Sequence, residues 1–329
     1  MQKLAEWDIV TGVGFTALTV AALRAIETNR NSGSLVNDPY SAAFVRAAPW
    51  PGLVLPTRLD AELGSSQVPW ESVATYIGVR SKFFDDFCTG ASAEGLDQVV
   101  LLAAGLDTRA FRLDWPPATT VYELDAPKVL AYKDQVLADQ GARERCARRL
   151  VGVDLRVDWV SPLLDAGFDS SRPAAWLVEG LLPYLPYDAK DSLFSRVHEL
   201  SPAGSRISVD HISAHLVTVQ QEFQQISRLT IQWIAQQIGL DLPEDSAKSS
   251  AELFPVDQDY DPAEWLVAHG WVVSTATAPV VAQSYRRRLD DATPLFHRSV
   301  LFITAQADAG GLPVSKLRCE GSVPAHTHA

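Results

Sequence analysis

Four carboxylates stand at the ends of four segments that the sequence predicts to be buried strands. They are, in chain order, Asp107, Asp125, Asp154 and Glu179. In a doubly wound sheet the carboxyl ends of parallel strands meet at one edge, and ligands bind there. A row of acids at that edge repels a triphosphate and suits a ligand that carries positive charge. The pattern therefore favours S-adenosylmethionine, which has a sulfonium and an ammonium group, over NAD or ATP.

The turn after the first predicted strand contains a single glycine, Gly105. A dinucleotide fingerprint has three glycines there, so an NAD-dependent reductase is the least favoured alternative. Asp125 follows Gly105 by about 20 residues, the spacing at which an acid in this fold accepts from both ribose hydroxyls. Asp154 could accept from an exocyclic amine, and Leu155 could pack on a purine face. Taken singly, Gly105 could simply mark a tight turn, and Asp125 could be a solvated acid at the end of a strand.

These residues are positioned by strands that alternate with helices. Short apolar runs, typical of strands buried on both faces, occupy residues 98–103, 120–124, 150–153, 174–178 and 206–209. Helical patterns lie between them, for example at 126–137 and 188–200. The alternation predicts an α/β fold with a doubly wound, mostly parallel sheet. Residues 271–275 and 299–304 predict two further strands, which could add an antiparallel terminal pair.

The remaining segments predict a layer and a cover for this sheet. Residues 1–95 predict an N-terminal helical layer, with helices near residues 15–26 and 70–87. The domain then runs over residues 96–305, interrupted at about 212–262 by a helical lid insertion. An apolar stripe from Leu216 to Trp233 marks its long helix. Residues 306–329 predict a flexible tail.

Composition excludes several classes of function. The chain has 329 residues, of which 47% are hydrophobic, and a net charge of −12, so we expect neither a nucleic-acid nor a membrane partner. Three cysteines without zinc or redox spacing indicate a reducing, cytoplasmic location. His326 and His328 are too few ligands for a metal site, so no metal is predicted. Oligomeric state stays open.

Five runs of sequence carry a resemblance to a known family. They are Val79–Asp86, Leu101–Trp115, Glu123–Asp125, Asp154–Arg156 and Trp176–Pro186. Together they resemble the leucine carboxyl methyltransferase family, particularly its actinomycete branch of S-adenosylmethionine-dependent methyltransferases. The resemblance runs from about Thr16 to Ile212 and implies a Rossmann-like class I methyltransferase fold.

The resemblance also implies roles for individual residues. Arg80 would pair with the methionine carboxylate and Glu179 with the methionine ammonium, while Tyr184 would lie near the substrate carboxylate. Gly105, the ribose acid Asp125, and the adenine-side pair Asp154 and Leu155 match the family's other cofactor positions. The chain departs from the family at Ala103, where the turn more usually has glycine. It also shows no counterpart around residues 34–40 of an early lysine found in eukaryotic members.

The resulting prediction is methyl transfer from S-adenosylmethionine to a carboxylate oxygen of a small molecule, by in-line displacement. A carboxylate is already a nucleophile at neutral pH, whereas a phenol, with a pKa of about 10, needs a general base. For a phenol acceptor, His211, just after the fifth predicted strand, would be the candidate base. Two other possibilities remain open: a sensor or scaffold that binds the cofactor without methyl transfer, and an enzyme that uses the cofactor's aminobutyrate arm.

Overall fold

The computed structural model describes residues 12–49, 55–60, 63, 66–212, 225–226, 228–230, 232–233, 260–289 and 294–308. Its strands are β1 (Gln98–Leu102), β2 (Thr120–Asp125), β3 (Ala147–Gly152), β4 (Ala175–Val178), β5 (Arg206–Ile212), β6 (Trp271–Thr277) and β7 (Val300–Ala307). Its helices are α1 (Gly12–Thr28), α2 (Ser41–Ala47), α3 (Trp70–Ala93), α4 (Arg109–Arg112), α5 (Pro127–Asp139), α6 (Val160–Asp165), α7 (Tyr187–Glu199), α8 (Pro262–Ala268), α9 (Ala278–Ser284) and α10 (Pro294–Ser299). A 3₁₀ turn spans Leu182–Tyr184.

The strands form one seven-stranded sheet in the order β3-β2-β1-β4-β5-β7-β6. The pairs among β1 to β5 are parallel, and β7 is antiparallel to both β5 and β6. The predicted doubly wound α/β sheet with an antiparallel terminal strand is therefore confirmed. The last strand is not at the edge, because β7 lies between β5 and β6.

The apolar runs arise because the central strands are covered on both faces. Every residue of β1 and of β4 is buried. Val99 and Leu101 lie in one hydrophobic core with α1 and α3, whereas Val100 and Leu102 lie in a second core with α6 and α7. Successive side chains of a strand point to opposite faces, so both faces need apolar residues.

Helix α3 brings polar side chains to the carboxyl edge of the sheet. It ends at Ala93, shortly before β1 begins at Gln98, and so runs back along the sheet from the carboxyl edge. The predicted helix at 70–87 is present and continues for six further residues. Its first turns carry Tyr76 and Arg80 on one face, since residues four apart are neighbours on a helix.

Most of the predicted lid insertion lies outside the described residues, as do residues 309–329 of the predicted tail. β7 extends to Ala307, two residues past the predicted end of the sheet domain. Within the described ranges, no helix combines the length and the hydropathy needed to cross a bilayer.

Candidate functional site

The four predicted carboxylates lie at one edge of the sheet. Asp125 is the last residue of β2, and the other three follow the carboxyl ends of β1, β3 and β4. Because these strands are parallel neighbours, the acids follow the strand order along the edge. The structure joins Asp107 and Glu179 through one arginine, and it binds Asp125 to the glycine turn. Asp154 instead bonds within its own turn.

The glycine turn is held by Asp125. The backbone N–H of Gly105 donates to Asp125 Oδ2 at 2.6 Å, and the N–H of Ala126 donates to Oδ1 at 2.6 Å. Burial raises the pKa of the Asp125 carboxyl, and these two hydrogen bonds oppose the rise. The carboxylate thus joins the turn after β1 to the residue that follows β2.

Ala103 adopts a backbone conformation that usually belongs to glycine. Its φ is +59°, in the left-handed region, and Gly105 has φ +46°. A side chain there costs about 1–2 kcal/mol. The family's usual glycine would avoid this cost, so the alanine makes the turn strained.

Asp154 and Leu155 follow β3, an edge strand of the sheet, and so lie at one end of the row of acids. Asp154 accepts from the Arg156 backbone N–H at 2.9 Å and from its guanidinium at 2.6 Å. These hydrogen bonds from Arg156 lower the pKa of Asp154. Leu155 is partly buried against the second core.

Arg80 lies between Glu179, which follows β4, and Asp210 of β5. Its Nε lies 3.0 Å from Glu179 Oε1, and its Nη1 lies 3.6 Å from Asp210 Oδ2. The Gly180 N–H donates to Asp210 Oδ1 at 2.6 Å. Gly180 has φ +64°, and a Cβ built there would be 3.2 Å from Arg80 Nη1. The guanidinium therefore packs directly against backbone that only glycine provides.

Two tyrosines border this arginine. Burial raises the pKa of Tyr76, which hydrogen-bonds Arg80 and also lies near Asp210. Burial likewise raises the pKa of Tyr184, which hydrogen-bonds Thr16 of α1 and lies near Arg80 and Asp210. The raised pKa values favour the protonated form of both phenols, in which each hydroxyl can donate a hydrogen bond.

His211 faces the other side of the sheet from this cluster. Asp210 is in register with Phe302, a member of the core beneath α1 and α3. His211 is in register with Leu301, which packs on the opposite core. Neighbouring residues of a strand point to opposite faces. The imidazole and Arg80 are thus separated by the strand.

Sequence reasoning assigned no role to Arg109, Asp210, Asp85 or Tyr76. Asp210 offered a signal, since it is a fifth acid near the end of a fifth parallel strand. Arg109 lies inside the run Leu101–Trp115 that carries the family resemblance, but its ion pairs with Asp85 and Glu179 could not be anticipated, because they link residues far apart in the chain.

The chain is similar to one protein family, to named bacterial proteins and to a solved structure. The family model for leucine carboxyl methyltransferase matches residues 17–198. A provisionally named S-adenosyl-L-methionine-dependent methyltransferase of Saccharopolyspora erythraea is 41% identical over 304 residues, covering 92% of this chain and 98% of that protein. One from Rhodococcus jostii is 43% identical over 289 residues, covering 87% and 92%. A crystal structure of a provisionally named methyltransferase from Thermobifida fusca aligns with a TM-score of 0.44 and 17% identity, over 89% of this chain and 94% of that one.

Proposed function

The chain belongs to the leucine carboxyl methyltransferase family and is an S-adenosylmethionine-dependent methyltransferase, and from this we propose that it methylates a carboxylate oxygen of a small molecule. The observation that supports the carboxylate is the pair of phenols beside Arg80, of which Tyr76 is buried and Tyr184 is partly buried. A protonated phenol donates to an anionic oxygen, and a carboxylate needs no base. His211, the candidate base for a phenol acceptor, lies on the other face of the sheet from Arg80.

The cofactor fits the charges of this edge. Asp125 at the glycine turn would accept from the ribose, while Asp154 and Leu155 would contact the adenine. Arg80 would pair with the carboxylate of the methionine arm and Glu179 with its ammonium, each as a charge-assisted hydrogen bond. The cofactor supplies an electrophilic methyl carbon on a positively charged sulfur.

The residues of the chain then have to align the acceptor. An oxygen lone pair of the acceptor carboxylate forms the new bond to the methyl carbon, while the carbon–sulfur bond breaks and its electron pair stays on sulfur. The products are a methyl ester and S-adenosylhomocysteine, and no proton is released. Tyr184 would orient the acceptor oxygen by a hydrogen bond, and alignment of this kind accounts for much of the catalysis of such a displacement.

The test uses methyl-labelled cofactor and paired acceptors, each pair sharing one skeleton that bears either a carboxylic acid or a phenol. A methyl ester releases labelled methanol in alkali, whereas a methyl ether does not. We expect alkali-labile label on the acids. Alkali-stable label on the phenols alone would contradict the carboxylate. Tight cofactor binding without any transfer would indicate a sensor, and release of methylthioadenosine would indicate use of the aminobutyrate arm.

A matched variant tests the role of Tyr184. Tyr184→Phe keeps the ring and removes the hydroxyl, so we expect the transfer rate to fall about tenfold. Affinity for S-adenosylhomocysteine should stay within about twofold, because the hydroxyl is assigned to the acceptor. Equal losses in rate and in cofactor affinity would move Tyr184 to the cofactor side.

A further inference from the structure

We propose that Arg109 is the positioning residue of the methionine-arm site: it fixes Asp107 and Glu179 so that Glu179 faces the cofactor's ammonium. The inference rests on the proposed placement of the methionine arm, and it does not depend on which acceptor is methylated. The methionine-arm site consists of Arg80, Asp107 and Glu179.

Arg109 joins three structural elements while almost completely buried, with 2% of its surface exposed. Its Nη1 lies 2.8 Å from Glu179 Oε2 and also binds Asp107 Oδ2. Its Nε donates to Asp85 Oδ1 of α3 at 2.7 Å. One planar guanidinium therefore fixes the acids that follow β1 and β4 against the helix that carries Arg80.

The backbone strengthens this arrangement. The Arg109 N–H donates to Asp107 Oδ1 at 2.7 Å, so the turn after β1 is closed by the residue whose side chain holds the acid. The carbonyl of Arg109 accepts from the indole N–H of Trp115 at 2.9 Å. The arginine is thus tethered at both backbone and side chain, which leaves its fork in one orientation.

The charges of the connected cluster explain why an ammonium is the fitting ligand. The ion-paired side chains are Arg80, Asp85, Asp107, Arg109, Arg112, Glu179 and Asp210. With all of them ionised, three positive charges meet four negative ones among these described residues. The excess of one negative charge favours an ammonium beside the acids, while the carboxylate of the same arm would pair with Arg80.

Arg112 offers a matched control. It lies on the same short helix and binds the same Asp85 with hydrogen bonds of 2.6 and 2.7 Å. Its Nε donates to Thr108 Oγ1 at 3.1 Å, and among the described residues it forms no ion pair with Asp107 or Glu179. Substitution of Arg112 disturbs the same helix and the same acid, but it leaves the methionine-arm site bound to Arg109.

The experiment compares two ligands in titration calorimetry. S-adenosylhomocysteine has the aminobutyrate arm, and methylthioadenosine lacks it. Arg109→Lys keeps the charge but loses the planar fork, so we expect affinity for S-adenosylhomocysteine to fall about tenfold or more. Affinity for methylthioadenosine should change less than about twofold. Arg112→Lys should leave the ratio of the two affinities within about twofold of the unaltered protein.

Equal losses for both ligands in Arg109→Lys would overturn the proposal, because they would indicate a general disturbance of the fold. A ratio that stays unchanged would also overturn it. If Arg109→Lys does not fold, Asp85→Asn replaces it, since Asp85 holds Nε of Arg109. In that variant the ratio should shift in the same direction, and a folded Asp85→Asn protein with an unchanged ratio contradicts the assignment.

Discussion

Asp125 is the residue on which the glycine turn and the proposed ribose contact both depend. Its two oxygens accept from the N–H groups of Gly105 and Ala126. Asp125→Asn replaces one carboxylate oxygen by an NH2 group, which cannot accept a hydrogen bond from the N–H of Gly105 or of Ala126. We therefore expect affinity for S-adenosylhomocysteine to fall about tenfold or more in titration calorimetry. The control, Asp169→Asn, removes the same charge from an exposed acid at the opposite edge of the sheet, and it should leave affinity unchanged.

The same carboxyl predicts a dependence on pH. Burial raises the pKa of Asp125 in the folded protein, so it takes up a proton at a higher pH than an exposed aspartate does. Protonation removes acceptor capacity, and cofactor affinity should therefore fall as the pH falls through this raised pKa. Asp125→Asn should show a flatter profile. Parallel profiles in the two proteins would show that another group titrates.

The sequence alone predicts the edge acids but not the contacts among them. Asp107 and Glu179 were predictable because each follows an apolar run in a repeating pattern. Arg109 was not, because a charged residue buried by partners from α3 and from the turn after β4 looks in sequence like any exposed arginine. His211 shows the opposite difficulty: its place at a strand end suggests a base, and only the register of β5 with β7 reveals which face it takes.

At the scale of elements, the turn after β4 determines where Arg80 can lie. Gly180→Ala adds a methyl group at φ +64° and 3.2 Å from Arg80 Nη1. We expect a loss of about 1–2 kcal/mol in the free energy of unfolding, from backbone strain. We also expect weaker cofactor binding, because Arg80 must move.

Gly270→Ala separates these two effects. Gly270 has φ +81°, but no atom lies within 4 Å of its added Cβ. It should lose similar stability in urea titrations and retain its affinity for S-adenosylhomocysteine. If both variants bind alike, contact between Gly180 and Arg80 has no part in binding.

The elements themselves followed closely from the sequence. All seven predicted strands are present, and the structure extends several of them by a few residues, with β3 beginning at Ala147 instead of residue 150. That strand is at the edge of the sheet, where only Arg148 and Val151 among its residues are buried. An apolar run marks only its inner part, which is why the pattern shortened it.

At the scale of the whole molecule, Phe302 ties the last strand to the helix that carries Arg80. It is 1% exposed, and its ring centroid lies 4.7 Å from that of Phe83 and 5.9 Å from that of Phe84. Phe302→Ala should reduce the free energy of unfolding by about 3–5 kcal/mol, measured in urea. Val272→Ala, in a side chain 60% exposed on β6, should change it by less than about 0.5 kcal/mol. Similar values for the two variants would show that this contact does not support the fold.

The position of β7 also bears on how the chain reaches its native state. β6 is made before β7, yet in the finished sheet it is joined to β5 only through β7. Before residues 300–307 have been synthesised, one side of β5 therefore has no paired strand, and β6 has no strand of the sheet to pair with. Such open edges invite pairing with other chains. During synthesis, the part of the sheet formed by β5, β6 and β7 can therefore form only after β7 has been made. A chain truncated before residue 300 would be prone to aggregate.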